Sequence, residues 1–260
     1  MSWYAIGTPG QLARALMQGT AADAARQLLA GEAAVPVDDA TPRVISTDGS
    51  AAVAPIAVAL PAITTAVQLS TTIPVPAGAR WLAKGAAFTG PQDISFAAPG
   101  DYVVKMDGRW MGAGTVTVLS AADYRAWLVD QVKAEGERRS MLVMSIGGSK
   151  KTKYAAKSAE IENWYALGGL GAITSTLLAA FSALNTTVRK RKFRFAIQDA
   201  AKHGDTVPAA IARFVSGADA SLDEIARLEG IEQAGVDTIR AAGSSAAALA
   251  AYRAVNWTAA

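Results

Sequence analysis

The chain has no cysteine and only one histidine among its 260 residues. The lack of cysteine excludes a disulfide scaffold, a thiol nucleophile and any metal site with cysteine ligands. The single histidine, His203, stands just before a glycine that predicts a helix end, so we expect it to interact with the helix dipole rather than act as a base. No pattern of serine and aspartate completes a catalytic triad. We therefore expect neither enzyme activity nor a cofactor.

Charged and aromatic side chains are also scarce. Charged residues make up 18% of the chain, aromatic residues make up 7%, and the net charge is +3. So small a net charge does not by itself predict nucleic-acid binding. Hydrophobic residues make up 51%, which is enough for one large core or for two or three small ones. Because alanine is abundant, we expect slim and closely packed helices.

Signatures of phosphate and cation binding are incomplete. The segment IGGSKKT at residues 146–152 resembles a phosphate-binding loop, but serine follows Gly148 where that loop requires lysine. Asp38, Asp39 and Asp48 lack the ordered spacing of a calcium-binding loop. We interpret these aspartates as turn residues and expect no metal site.

An uncharged run extends from Asn163 to Val188 and ends in the basic segment RKRKFR. About 20 apolar residues can cross a bilayer, so a membrane span is one interpretation. The large side chains, however, recur at steps of three and four, which places them on one stripe of a helix. We predict a bundle helix and no membrane span, with the stripe packed within the chain or against a second copy. The stripe consists of Leu167, Leu170, Ile173, Leu177, Leu178, Phe181 and Leu184.

The spacing of apolar residues changes along the chain from helical to β-type and back to helical, and this order predicts an α+β fold. Residues 10–30 predict two short helices, the first with Leu12, Ala15 and Leu16 on one face and the second ended by Gly31. Short β-type runs follow, and the helical period returns after Leu119. The predicted regions are an N-terminal helical docking segment (1–34), a small β domain (35–119) and a helical region (120–260).

Short runs bounded by proline or glycine recur at regular spacing through the β domain. They are ITTAVQL, TTIPV, ARWLAK, DISFAA, DYVVKM and GTVTVL. Apolar residues alternate within them, and a Pro-Gly turn leads into a strand that begins near Tyr102. We expect the Tyr102 ring in the core and its hydroxyl bonded to nearby backbone. These features predict a small immunoglobulin-like antiparallel β-sandwich.

Two tryptophans of the β domain, Trp81 and Trp110, have two interpretations. They fill the core, or they form an exposed platform that stacks on sugar rings. The second interpretation would make the chain a glycan-binding module for a host receptor. We expect core filling and keep glycan binding as an alternative.

The last part of the chain predicts a helical bundle. Ser120 predicts the N-cap of a helix that carries Tyr124, Leu128 and Val132 on one face, and a second helix is predicted from near Tyr154. Each later segment is closed by glycine or by the end of the chain. These segments are FRFAIQDAAKHG, VPAAIARFVSG, SLDEIARLEGIEQAGVDTIRAAG and SAAALAAYRAVNW.

One of these segments also fits the spacing of a DNA-binding helix-turn-helix, through Ala226, Gly230 and Val236, and RKRKFR could add phosphate contacts. Neighbouring carboxylates, including Asp223 and Glu229, would repel phosphates. We therefore favour a continuous or kinked amphipathic helix and expect no nucleic-acid partner. We interpret RKRKFR as a solvated helix start whose cations meet acidic groups on a neighbouring helix or subunit.

Several stretches together resemble a family of virion proteins. APGDYVVKMDGRWMGAGTVTV, YRAWLVDQVKAEGERR and YAAKSAEIENWYALGG are similar to parts of the tail-accessory and tail-fibre-associated proteins of tailed bacteriophages and related gene-transfer particles. The helical ending, from FRFAIQDAAKHGDTVPAAIARFVSG to the final tryptophan, is similar to the C-terminal ends of that group. The resemblance covers residues 96–257.

The resemblance implies a structural protein of the distal tail, an adaptor that links the tail tip or baseplate to tail fibres or receptor-binding elements. It implies assembly in the cytoplasm of a bacterial host and a final location in the virion. Its implied partners are other tail proteins and further copies of the same chain, with a trimer as one arrangement. It brings no catalytic residues to this sequence.

Overall fold

A computed structural model describes residues 2–144, 148–168 and 174–259. The chain divides into two compact units. The first unit comprises Met1–Ala126 with Ser244–Ala246, and the second comprises Trp127–Gly243 with Ala247–Ala260. The first unit contains the strands and the second is helical. The predicted mixture of antiparallel sheets and a helical C-terminal region is therefore confirmed.

A small antiparallel sheet with strand order β2-β1-β3 begins the first unit. Its core contains Ala5, Val35 and Ile45. Thr20 and Asp23 form a capping box that starts the short helix between two of the strands. The elements are β1 (Ser2–Gly7), β2 (Ala15–Gly19), α1 (Ala21–Arg26), β3 (Ala33–Val37), β4 (Val44–Ile45) and β5 (Ala52–Val53).

The prediction of two helices in residues 10–30 is wrong for the first of them. The structure has strand β2 there, and Leu16 pairs with Ala5 of β1. Apolar spacing in so short a stretch fits both a helix and a strand, and the backbone pairing with β1 decides between them. The segment 1–34 is therefore mainly a sheet rather than helical, while its role in docking stays a prediction.

The β domain is built around a five-stranded sheet with the order β10-β9-β12-β14-β7. β7 runs parallel to β14, and the other neighbours in this sheet are antiparallel. β8 pairs with β11, and β6 pairs with β13. The strands are β6 (Ile56–Ala57), β7 (Ile63–Ala66), β8 (Thr71–Ile73), β9 (Arg80–Ala83), β10 (Ala86–Thr89), β11 (Gln92–Ile94), β12 (Gly100–Asp107), β13 (Trp110–Met111) and β14 (Ala113–Leu119).

Each of the runs that predicted strands contains one, and the predicted alternation places Val104 and Met106 of β12 in one core. Tyr102 lies near the start of β12, and its ring centroid is 4.5 Å from that of Phe96. The Tyr102 hydroxyl donates to the carbonyl oxygen of Ala98 at 3.0 Å. Both expectations for this tyrosine are confirmed, whereas the immunoglobulin-like sandwich as a whole is not.

The helices after the β domain begin with a predicted cap. The hydroxyl of Ser120 accepts a hydrogen bond from the backbone N–H of Asp123 at 3.1 Å. The next helix begins at Gly148 rather than near Tyr154, since glycine is tolerated at a helix N-terminus. The helices are α2 (Ala121–Val143), α3 (Gly148–Ala166), α4 (Ser175–Ala183), α5 (Thr186–Lys192), α6 (Arg194–His203), α7 (Val207–Ala241) and α8 (Ser245–Ala254).

Helix α7 continues for 35 residues through three glycines, Gly217, Gly230 and Gly235. The prediction that one helix ends at Gly217 and another follows is therefore wrong. Each interior glycine costs about 1 kcal/mol relative to alanine, and burial of side chains such as Phe214 and Ile239 offsets that cost. Because the helix has no turn at Gly230, the helix-turn-helix interpretation is wrong and the continuous helix is confirmed.

The core of the helical unit joins α3, α4, α6 and α7. Its buried residues are Ile161, Trp164, Leu177, Phe193, Ala196, Ala200, Ala210, Ile211 and Phe214. Within the described ranges, none of the helices combines the length and apolar composition that crossing a bilayer requires.

Candidate functional site

The apolar stripe from Leu167 to Leu184 contributes mainly to the core of the helical unit. The prediction that one helix carries all of it is wrong, because α3 ends before Leu167 and α4 covers only Ser175–Ala183. Leu177 is fully buried, and Leu167, Phe181 and Leu184 pack against the same core. Leu178 is 42% exposed, so it is the stripe residue that could contact a partner. Leu170 and Ile173 lie outside the described residues. Packing of the stripe against a second copy stays a prediction.

Three aromatic rings fix the relative positions of α3, α4 and the start of α6. The ring centroids of Trp164 and Phe181 are 5.7 Å apart, and those of Phe181 and Phe193 are 5.3 Å apart. Trp164 and Phe193 are 6.0 Å apart and almost perpendicular. Edge-to-face contacts of this kind add about 0.5–1.5 kcal/mol each to the burial of the rings.

A buried carboxylate positions α6 against α3. Glu160 is 5% exposed. Its two oxygens accept hydrogen bonds from the backbone N–H groups of Phe195 at 2.7 Å and Ala196 at 2.8 Å. Phe193 precedes α6 and offers no side-chain cap, so Glu160 supplies the acceptor that the first turn of the helix needs. This contact holds α3 and α6 side by side.

A cationic groove lies between α3 and α6. We call it the α3–α6 groove, and its volume is about 610 Å³. Tyr154 is 53% exposed, and Lys157 places its Nζ 4.2 Å from the ring centroid of Phe214. The groove is lined by Lys153, Tyr154, Lys157, Phe195, Gln198, Asp199 and Lys202.

The carboxylate in the groove is already neutralised by an arginine. Asp199 Oδ2 accepts a hydrogen bond from Arg213 Nε at 3.0 Å, and Arg213 also pairs with Asp205. The hydrogen bond from Arg213 lowers the pKa of Asp199 and that of Asp205. Lys153 and Lys202 form no ion pair within 4 Å among the described residues. The groove therefore keeps a positive potential.

The basic segment RKRKFR begins near the end of α5 and continues into α6, so the prediction of a helix start is wrong. Phe193 is fully buried and separates the two helices, because its ring anchors this point of the chain in the core. Arg189 lies 5.8 Å from the ring centroid of Phe181. Within the described part of the chain, Lys190 and Arg191 are exposed and have no acidic partner. The predicted pairing with acidic groups is therefore not seen for these two cations among the described residues.

The two tryptophans proposed for sugar stacking are core residues. Trp81 has no exposed surface, stacks on Phe88 at 4.4 Å between centroids, and donates from Nε1 to the Gly90 carbonyl oxygen. Trp110 is 9% exposed, and Arg109 covers its ring at 5.3 Å. Burial therefore removes the exposed platform, and the expectation of core filling is confirmed.

The remaining polar candidates take structural roles. His203 lies in the last turn of α6 as predicted, with its Nε2 3.9 Å from Asp199. Asp39 and Asp48 accept hydrogen bonds from nearby Thr41 and Ser50 backbone N–H groups, as turn residues do. In the ranges that the structure describes, no three metal-ligating side chains converge. The segment 146–152 lies partly outside those ranges.

Each unit has a group of exposed apolar side chains. In the first unit, Leu82 of β9 and Val103 of β12 lie on the solvent face of neighbouring strands and are 37% and 62% exposed. In the second unit, Met141, Leu142 and Met144 are exposed at the end of α2. We call these groups the β9–β12 patch and the α2-end patch. Exposed apolar patches are typical of protein contacts, and methionine, as in the α2-end patch, is enriched in them.

No protein-family model, curated protein or solved structure matches the chain. The resemblance to tail-associated proteins therefore stays a prediction.

The α3–α6 groove was missed because its residues come from separate segments. Lys153 and Lys157 are four residues apart, as are Gln198 and Lys202, so each helix shows a polar face by its spacing. That signal is common on solvated helices. Tertiary contacts bring the two faces together, among them the hydrogen bonds of Glu160, which join α3 to the start of α6.

Proposed function

We propose that this chain is a virion structural protein of the distal tail, an adaptor between the tail tip or baseplate and the fibres or receptor-binding elements. The observation that best supports the proposal is the presence of an exposed apolar patch on each of two compact units. A chain with a patch on each unit can bind two different partners. The resemblance of residues 96–257 to tail-associated proteins supplies the identity of those partners.

The α2-end patch supports protein contact most directly. Leu142 is 60% exposed, and Met141 and Met144 lie beside it in sequence. Exposing three large apolar side chains together costs free energy that a partner surface would recover, at about 25 cal/mol for each Å² of apolar area removed from water. Methionine side chains also adapt readily to irregular partner surfaces. We assign this patch to contact with another tail protein or a further copy of the chain.

The first unit offers a second contact. The β9–β12 patch lies on the solvent face of the five-stranded sheet, and β10 forms one edge of that sheet. Edge strands present unpaired backbone groups that a partner strand can bind.

We also propose that the β domain is a variant of the immunoglobulin-like sandwich, on the basis of the Tyr102 hydroxyl bond to the backbone and the layered core.

The experiment is to purify particles from cells that produce the chain and to probe them for it. We expect the wild-type chain to co-purify with particles, and particles lacking it to have tails without fibres in negative stain. Replacing Leu142 with aspartate should abolish incorporation by disrupting the α2-end patch. Leu222→Asp is the matched control, because Leu222 is 63% exposed but lies on α7, away from the patch in sequence.

Incorporation of the L142D chain at the wild-type level would show that the α2-end patch is not a contact. Particles that never contain the wild-type chain, or whose fibres are complete without it, would overturn the tail assignment itself.

A further inference from the structure

We propose that the α3–α6 groove binds an acidic oligosaccharide, a chain of sugars that carries carboxylate or sulfate groups. The groove is an open cleft of about 610 Å³, within the range typical of small-ligand sites. It combines cations, one exposed aromatic ring, an amide and a neutralised carboxylate. The inference stands on the groove alone and does not depend on the tail assignment.

The cations define the charge of the ligand. Lys153 and Lys157 project from α3, and Lys202 projects from α6 on the other side of the groove. Arg194 precedes Gln198 and Lys202 by four and eight residues on α6, so the three residues share one face of that helix. Arg194 is exposed, and it extends the positive surface beyond the groove. Ammonium groups without carboxylate partners favour an anion, and charge-assisted hydrogen bonds are stronger than neutral ones.

The other lining groups favour a sugar over a nucleic acid. Tyr154 offers an exposed ring face between two lysines of its helix, and a ring face can stack on the apolar face of a sugar. Gln198 can donate and accept hydrogen bonds. Asp199 Oδ2 is occupied by Arg213, but Oδ1 lies 3.9 Å from His203 and accepts no hydrogen bond among the described residues. That oxygen can accept a hydrogen bond from a sugar hydroxyl, a donor that the phosphodiester backbone of DNA lacks.

The groove is also held open by hydrogen bonds between the helices that form it and their neighbours. Glu160 ties α3 to the start of α6, and Arg213 ties α6 to α7 through Asp199. From Lys153 to Glu160 the groove wall is about 10 Å long at 1.5 Å per helical residue. A site built on helices fixed in this way is organised before the ligand arrives, which lowers the entropic cost of binding.

The test is calorimetric titration of the full chain at low salt with three defined probes. They are a galacturonate hexamer, which carries carboxylates, neutral maltohexaose, and a six-nucleotide oligothymidylate. We expect the galacturonate hexamer to bind, maltohexaose not to bind, and the oligothymidylate to bind at least tenfold more weakly. A sulfated dextran oligomer serves as a second acidic sugar.

The double variant Lys153→Gln/Lys202→Gln should weaken binding of the acidic sugar at least tenfold, since hydrogen bonds to charged groups are stronger than neutral ones. Tyr154→Ala should weaken it about three- to tenfold through loss of stacking, and Tyr154→Phe should not. The matched control is Lys105→Gln/Lys133→Gln, which removes the same charge from exposed lysines outside the groove. All of these positions are exposed, so thermal melting should be unchanged.

Each alternative outcome overturns the proposal. Equal loss of affinity in the control double variant would show general electrostatic attraction without a site. Tighter binding of the oligothymidylate than of either acidic sugar would make the groove a nucleic-acid site. Failure of both acidic sugars to bind at low salt would show that the groove has no such ligand.

Discussion

The β core of the first unit and the helical core of the second satisfy their buried polar groups in different ways. In the β core, the Trp81 indole donates to the Gly90 carbonyl oxygen at 2.9 Å. That group is neutral, and a backbone carbonyl is its partner. In the helical core, the buried polar side chain is a carboxylate, Glu160, and its partners are two backbone N–H groups.

The geometry of the backbone explains this difference. Strands pair their N–H and C=O groups with neighbouring strands, so the β core has few polar groups left to satisfy. A helix leaves its first N–H groups unpaired, and α6 begins inside the unit without a side-chain cap of its own. The helical unit therefore depends on charged side chains from other helices. The β core depends on apolar volume.

If apolar volume stabilises the β core, Trp81→Ala should have the largest effect of any substitution considered. Trp81 is fully buried and stacks on Phe88, so its truncation should cost about 3–5 kcal/mol of unfolding free energy. Leu82→Ala is the control on the same strand, because Leu82 is 37% exposed and should cost much less. Denaturation followed by near-ultraviolet circular dichroism measures both. Equal losses would mean that the tryptophan is not the centre of this core.

In the helical unit, Glu160→Ala should cost about 2–3 kcal/mol, because two buried N–H groups lose their acceptor. Glu160→Gln should cost less, since the amide oxygen can still accept one of the bonds. Glu162→Ala is the matched control on an exposed position of the same helix. Urea denaturation compares the three variants. An alanine variant as stable as wild type would remove the contrast between the two cores.

Acid should destabilise the helical unit through Arg213. Hydrogen bonds from Arg213 lower the pKa of Asp199 and Asp205 from the ordinary 3.8. Carboxylates with lowered pKa values stabilise the fold above pH 4, and this contribution is lost as the pH falls through the lowered values. Replacing Arg213 with glutamine should therefore reduce stability at pH 7 and flatten its decline below about pH 4. The effect should be smaller than that of Glu160→Ala, because Arg213 is 39% exposed.

Thermal melting at several pH values measures this effect, with Arg253→Gln as the control. Arg253 lies exposed on α8 and forms no ion pair among the described residues. If R213Q shows the same decline with acid as wild type, the pH dependence has another source.

The sequence pattern predicted the elements whose structure depends on residues close together in the chain. The alternation of Val104 and Met106 predicted a strand buried on one face, and Ser120 predicted the start of α2. Strand β2 was missed, because a five-residue stretch fits two periods and only its partner β1 selects one. The groove was missed for a related reason, since Lys153 and Lys202 are brought together by tertiary contacts that neither segment encodes alone.

The smallest expected effect is that of Gly230→Ala. A continuous α7 and a helix-turn-helix predict changes in stability of opposite sign for this substitution. In a continuous α7, a methyl group at Gly230 meets no atom within 4 Å, so Gly230→Ala should stabilise the chain by about 0.5–1 kcal/mol through a better helix propensity. In a helix-turn-helix the same glycine would occupy a turn, and alanine would destabilise it. Gly204→Ala is the opposite control, because Gly204 ends α6 with φ of 67°, where alanine costs about 1 kcal/mol or more. Thermal denaturation of both variants gives the two signs, and a loss of stability in G230A would mean that α7 is not continuous.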